Sequence, residues 1–79
     1  MEDRKIIVGG LYRHFKGMMY YVKDIAVHSE DGDLYVVYQK LYDDHSTYIR
    51  PYSMFASKVD REKYPDVDQE YRFEYIEGR

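Results

Sequence analysis

Apolar and polar positions alternate along most of this chain with a period of two, the spacing of half-buried strands, and nowhere repeat long enough at the helical period to make an ordinary helix. The longest such pattern runs from Met18 to Tyr42. Tyr20-Tyr21-Val22 and Ile25-Ala26-Val27 lead into Glu30-Asp31-Gly32-Asp33, and Leu34-Tyr35-Val36-Val37-Tyr38 leads out with Leu41-Tyr42. The Asp-Gly pair suits a two-residue hairpin turn. With Asp31 and Gly32 as that loop, His28 faces Tyr35, Ala26 faces Val37, Asp24 faces Gln39 and Val22 faces Leu41. The opposite face sets Val27 against Val36, Ile25 against Tyr38 and Lys23 against Lys40. Two like charges directly opposed repel, so a bend or bulge is expected at residues 23 and 24. The face carrying Val22, Ala26, Val37 and Leu41 is the expected core. Ile25, Val27, Val36 and Tyr38 are then left as an outer apolar strip suited to self-association.

Shorter segments flank this ribbon. Residues 1–5 are charged and expected to fray, and Ile6-Ile7-Val8 is stopped by Gly9-Gly10. Leu11 to Phe15 alternates as a strand, so Arg13 and His14 point to opposite faces. Thr47-Tyr48-Ile49 reads as a fourth strand ended by Arg50-Pro51, because proline cannot donate to a ladder. Tyr52-Ser53-Met54-Phe55 is long enough for one 3₁₀ turn, with Met54 and Phe55 plugging an open barrel end. Residues 60–69 form a polar loop, and Glu70 to Ile76 alternates charge with aromatics, so Tyr71, Phe73 and Tyr75 face one way in a closing strand. The sum is a mainly β fold: a single domain over residues 1–79, built as a small five-stranded antiparallel barrel with one short 3₁₀ turn.

Composition narrows the chemistry. The 79 residues include eleven tyrosines and three phenylalanines but no tryptophan. A tyrosine buries a large ring and keeps one polar end that needs a partner, which suits a core never far from water. The absence of cysteine excludes disulfides and thiolate metal sites, and three histidines at wide spacing match no zinc pattern. No cofactor is expected, since Gly9-Gly10 precedes a strand and offers no helix N-terminus to a phosphate. Lacking a signal-peptide core or an apolar run of membrane-spanning length, the chain is expected to be cytoplasmic and off the membrane. Its formal charge of −3 argues against a duplex-DNA binder. Base gathers before residue 29 and acid between 29 and 49, a polarity able to orient a partner.

The blocks Gly10-x-Tyr12-Arg13-His14-Phe15-Lys16-Gly17, Tyr20-x-Val22, Ala26-x-His28-Ser29-Glu30, Val37-Tyr38, Leu41-Tyr42, Ile49-Arg50-Pro51 and Met54-Phe55 carry a resemblance. Over roughly residues 10–59 the chain resembles a family of small, mainly bacterial proteins filed as a domain of unknown function. The resemblance implies a compact barrel of the Src-homology-3-like type and assigns no activity. The chain departs from the pattern at Asp43, where glycine is expected, at Tyr48, where tryptophan is usual, and at Ser57, where an acidic residue is expected. Its tail around Pro65 to Phe73 is also longer.

Candidate ligand-binding residues are Tyr12, Arg13, His14, His28, Ser29, Glu30, Tyr42, Tyr48 and Arg50. His28-Ser29-Glu30 sets an imidazole beside a carboxylate at a hairpin end, the makings of a small hydrolase-like site. The simpler reading has Ser29 and Glu30 bonding backbone around the turn while His28 packs on Tyr35. Tyr12, Tyr42 and Tyr48 are expected to floor a groove rimmed by His14 and Arg50, for an extended peptide or a nucleotide. The competing structural role pairs Arg50 with Glu30 or Asp43. The expected function is non-enzymatic binding of a protein or peptide, by the groove or by an open strand edge. RNA or single-stranded nucleic acid is the alternative, favoured by tyrosine and opposed by a pI near 5.5.

Overall fold

The computed structural model describes residues 4–77; residues 1–3 of the segment expected to fray lie outside them. Strands β1 (Leu11–His14), β2 (Met19–Val27), β3 (Leu34–Lys40), β4 (Thr47–Pro51) and β5 (Phe73–Glu77) form one sheet, and helix α1 (Tyr52–Phe55) follows β4. All four pairings are antiparallel, in the order β4-β3-β2-β1-β5, so the last strand returns beside the first. The mainly β, five-stranded expectation is met. Among the described residues no ladder joins β4 to β5, and the sheet is open along that seam. Side chains span it instead. Phe55, at the end of α1, stacks on Phe73, at the start of β5, with centroids 4.1 Å apart and planes within 8°.

The bulge expected at residues 23 and 24 is present: Val22 pairs with Tyr38, but Asp24 pairs with Val37. The rest of the expected register is corrected. The hairpin closes through His28 N–H to Asp33 O at 2.8 Å, and Val27 faces Leu34, so the loop is longer than Asp31-Gly32 alone. The face assignment changes with it. One extra residue in β2 inverts the facing of everything beyond it, so Val22 shares a face with Val36 and Tyr38 rather than with Ala26 and Val37. Val36 and Tyr38 are buried in the core and Ile25 packs against them, which removes the proposed outer strip. Of its four members only Val27 stands in solvent, 63% exposed. Leu41, assigned to the core, is exposed as well.

The core is Ile6, Tyr12, Tyr20, Val22, Val36, Tyr38, Phe55 and Phe73, predominantly aromatic. Its tyrosine hydroxyls are bonded: Tyr12 accepts from Ile7 N–H at 2.9 Å, Tyr52 accepts from Ile6 N–H at 2.8 Å, and Tyr20 and Tyr42 share a bond of 2.7 Å. Among the described residues no buried side-chain polar atom lacks a partner. Gly10 permits this packing, since a Cβ there would stand 3.0–3.1 Å from Ile7 O and the rings of Tyr12 and Tyr75.

The segment after β4 is one α-helical turn, not 3₁₀, because Ala56 N–H bonds Tyr52 O at 2.9 Å, the i to i−4 spacing. Phe55 plugs the core as expected, whereas Met54 is exposed. Arg4, expected to fray, is anchored: it donates to the carbonyls of Ala56 and Phe73 and lies 4.1 Å above the Tyr71 ring. None of the helices among the described residues is long and apolar enough to cross a membrane.

Candidate functional site

Three of the candidate residues lie at the β2–β3 tip. His28 Nδ1 accepts from the Glu30 amide at 3.2 Å and sits 3.4 Å from Asp31 Oδ1. A nitrogen accepting from an amide carries no proton, so in that state the Asp31 contact is not an ion pair. Asp31 Oδ1 accepts from Asp33 N–H at 2.9 Å, and the His28 ring lies 5.8 Å from Tyr35. These are the bonds of a self-contained turn, with Ser29 and Glu30 exposed beside it.

The groove expected between Tyr12, Tyr42 and Tyr48 does not form. Tyr12 is buried against Phe55 and Tyr75, with its hydroxyl pKa raised by that burial. Tyr42 is bonded to Tyr20, and Tyr48 flanks Lys40 at 5.8 Å. Arg13 points outward and donates to Glu74 at 3.1 Å. Arg50 meets neither Glu30 nor Asp43. Its Nε donates to the Tyr38 hydroxyl at 3.1 Å and its guanidinium lies 5.8 Å from the centre of the Phe73 ring.

What the fold does bring together is His14 and Arg50. Both line a cavity of about 220 Å³ between the end of β1, β4 and the loop before β5. The turn after β1 is shaped by Gly17, whose φ of +103° disfavours any side chain, and by its N–H to His14 O at 2.7 Å. That turn presents Lys16, whose ammonium lies 5.6 Å from the Tyr64 ring. Lys63 stands 5.7 Å from the same ring, and Phe15 packs on Tyr64 at 4.8 Å to form the aromatic wall. Arg72 is fixed through its backbone, accepting from Phe15 N–H and donating to Ser57 O, each at 3.0 Å.

Four cations therefore line one cavity, and none has an ion-pair partner within 4 Å among the described residues. Among the described residues the single carboxylate in the lining, Asp60, accepts the amides of Glu62 at 3.0 Å and Lys63 at 3.4 Å. His14 stacks on Phe15 at 4.5 Å and meets the edge of Phe73 at 5.0 Å. Its pKa is lowered to about 4, first by burial and then by Lys16, Arg50 and Arg72. The Lys16 amide donates to His14 Nδ1 at 3.1 Å, which places the neutral ring's proton on Nε2 as a donor.

Two larger, more open hollows carry less chemistry. In one, of about 440 Å³, Arg13 is paired with Glu74, and the Gln69 amide donates to the carbonyls of Arg13 and Tyr71. The other, of about 460 Å³, is walled by Leu34, Pro51 and Tyr52 with Asp33 as its charge. Among the described residues no three histidine or acidic groups converge as a metal would require. Lys16, Lys63, Tyr64 and Arg72 were missed by sequence reasoning. The available signal was the twice-repeated pairing of a lysine with an aromatic, Phe15-Lys16 and Lys63-Tyr64, which in sequence looks like ordinary solvated surface.

A family model described as protein of unknown function (DUF1653) matches residues 10–75, so the similarity expected over residues 10–59 extends into β5. Similar in fold is the crystal structure of a protein from Bordetella bronchiseptica assigned to the same family. It superposes with a TM-score of 0.74 at 27% identity, over 92% of this chain and 91% of that one. No protein with a curated description matches.

Proposed function

We propose that this chain, which belongs to the DUF1653 family of proteins of unknown function, is a non-enzymatic binding module that takes an anionic group of a protein or peptide partner into the pocket between β1, β4 and β5. The observation that carries the reading is the unpartnered charge: four cations face one cavity in a chain whose net charge is −3. Like charges held together oppose folding, and a departure from local consistency of this kind marks a functional site. At about 220 Å³ the pocket falls below the roughly 300–1,000 Å³ of sites for drug-sized ligands, and it suits a small charged group carried on something larger. Arg50 lies on β4, an edge strand, so an extended peptide seated beside it has backbone groups to pair with. In the same reading the sheet is an incompletely closed barrel of the Src-homology-3-like type, plugged by Phe55, and the protein works in the cytoplasm.

The test is an amide-resolved NMR titration with an acidic peptide, its uncharged amide counterpart and a single-stranded RNA. The acidic peptide is expected to shift residues 14–16, 50, 63–64 and 72, and the amide form to leave them in place. Shifts confined to other residues, or a response to RNA alone that collapses steeply with salt, would overturn the reading.

A further inference from the structure

We infer that the group this pocket takes is a phosphate monoester in its dianionic form, carried on a side chain of the peptide partner or free in solution. The inference rests on the reading just given and narrows it. A carboxylate brings one negative charge, whereas a phosphoryl group brings about −1.5 to −2 at neutral pH together with three strong acceptor oxygens. The lining offers four cations, and its one carboxylate already accepts two backbone amides. That surplus matches the phosphoryl group better than any single carboxylate.

Direction of approach argues the same way. The cations come from four separate segments: Lys16 from the turn after β1, Arg50 from β4, Lys63 from the 60–69 loop and Arg72 from the residue before β5. A planar carboxylate is satisfied by one guanidinium fork in one plane. Donors converging from several sides fit a tetrahedral group, and two of the four are arginines, the side chain best shaped for phosphate. His14 adds Nε2–H without adding charge.

The pocket also selects a terminal group. Arg50 rests on the Tyr38 hydroxyl and over the Phe73 ring, both buried, so the cavity is closed at its base by the core. A group entering end-on fits. A phosphodiester brings one negative charge and two free oxygens to the same four cations, where a monoester brings nearly two charges and three oxygens. The pocket therefore favours a monoester over the internal backbone of a nucleic acid.

The experiment titrates the full chain at constant ionic strength and about pH 7.5, where the monoester is doubly charged because its second pKa is about 6. The probes are inorganic phosphate, an end-blocked Gly-phosphoserine-Gly tripeptide, its Glu counterpart and dimethyl phosphate. Amide and His14 ring shifts report binding. Phosphate and the phosphotripeptide are expected to move the pocket residues. The Glu peptide and dimethyl phosphate are expected to bind about tenfold more weakly or less, the worth of one lost charge-assisted contact. Lys16→Glu and, as a second exposed variant, Lys63→Glu should each weaken the phosphotripeptide by a similar factor, with otherwise unchanged amide spectra showing that they fold. A phosphotripeptide tighter than inorganic phosphate assigns the group to a side chain, and equal affinities assign it to free phosphate. A Glu peptide as tight as the phosphotripeptide overturns the phosphoryl assignment while leaving the anion pocket standing, and so does dimethyl phosphate binding as well as the monoester. No response to any probe overturns both.

Discussion

His14 and His28 each accept a backbone amide from two residues ahead on Nδ1, at 3.1 Å from Lys16 and 3.2 Å from Glu30, and each packs on an aromatic ring, yet the charges around the two are opposite in sign. Around His28 every strong partner is local: Asp31 turns back onto the Asp33 amide, and the hairpin closes on Asp33 O. Around His14 the charged groups reach further: Arg50 from β4 and Arg72 from the residue before β5 join Lys16 of its own turn, and Lys63 of the 60–69 loop lines the same cavity. The hairpin tip is complete in itself. The pocket has aromatic walls and a fixed donor, but among the described residues its four cations face a single carboxylate, Asp60. A turn satisfied by its own residues needs no ligand, whereas the charge surplus assembled from distant segments is what the proposed anion would balance.

The largest expected difference between the two regions comes from removing one hydroxyl in each. Tyr38→Phe takes away the acceptor of the Arg50 Nε–H in a part-buried site. Leaving a charged donor without its partner there should cost about 2 kcal/mol. Tyr35→Phe, under His28, removes a hydroxyl with no such partner and should stay within about 0.5 kcal/mol, as surface changes usually do. Urea midpoints at neutral pH measure both. Equal costs would mean that Arg50 is no better anchored than the hairpin tip.

Acid tests the pocket's histidine next. The unfolded His14 takes up a proton near its ordinary value of 6.5, whereas the folded ring resists until about 4. The stabilising contribution of the neutral ring is therefore complete above pH 6.5 and is lost as pH falls from there toward 4. Because the ring is only half-buried and solvent screens the cations around it, the loss should be about 1–2 kcal/mol rather than the full linkage value. Asparagine keeps an acceptor where Nδ1 stands and cannot titrate. His14→Asn should flatten this part of the pH profile. Added salt should shrink the slope by screening Lys16, Arg50, Lys63 and Arg72 against the lone opposing Asp60, and the part due to burial should survive.

How much of this was legible in the sequence follows from the range of the forces. The Lys23 and Lys40 conflict was a local cue, and it located the bulge. Its consequence was not local: a single inserted residue swaps which side of β2 meets Val36 and Tyr38, so strict alternation carried through the bulge chose the wrong core face. Asp43, where the family pattern led us to expect glycine, has a φ of 55°, so the turn keeps the left-handed backbone that glycine would supply. His14 and Arg50 were paired from their chemistry, and the fold does seat them in one cavity. Their companions Lys63 and Arg72 lie beyond a polar loop whose path no periodicity encodes, and that path alone converts scattered surface charge into a pocket.

The smallest expected effect is the one that most directly sets a balanced cation against an unbalanced one. Lys40 lies 3.7 Å from Asp43 and 3.2 Å from Asp44, and its ammonium is held more firmly protonated than usual, first by Tyr48 and then by Asp44. Lys40→Glu turns those contacts into repulsions and should slightly lower the unfolding temperature. Lys63→Glu does the reverse. It places a carboxylate among Lys16, Arg50 and Arg72, and at low salt should stabilise the ligand-free protein by about 0.5 kcal/mol. Thermal unfolding at low and high salt measures both shifts, which should have opposite signs and shrink together as salt rises. The variant that gains stability is also the one expected to lose the phosphotripeptide, the trade expected where a site is kept short of its most stable state for the sake of binding. If Lys63→Glu were destabilising, the cations around His14 would already be compensated, and the contrast between the two regions would fall.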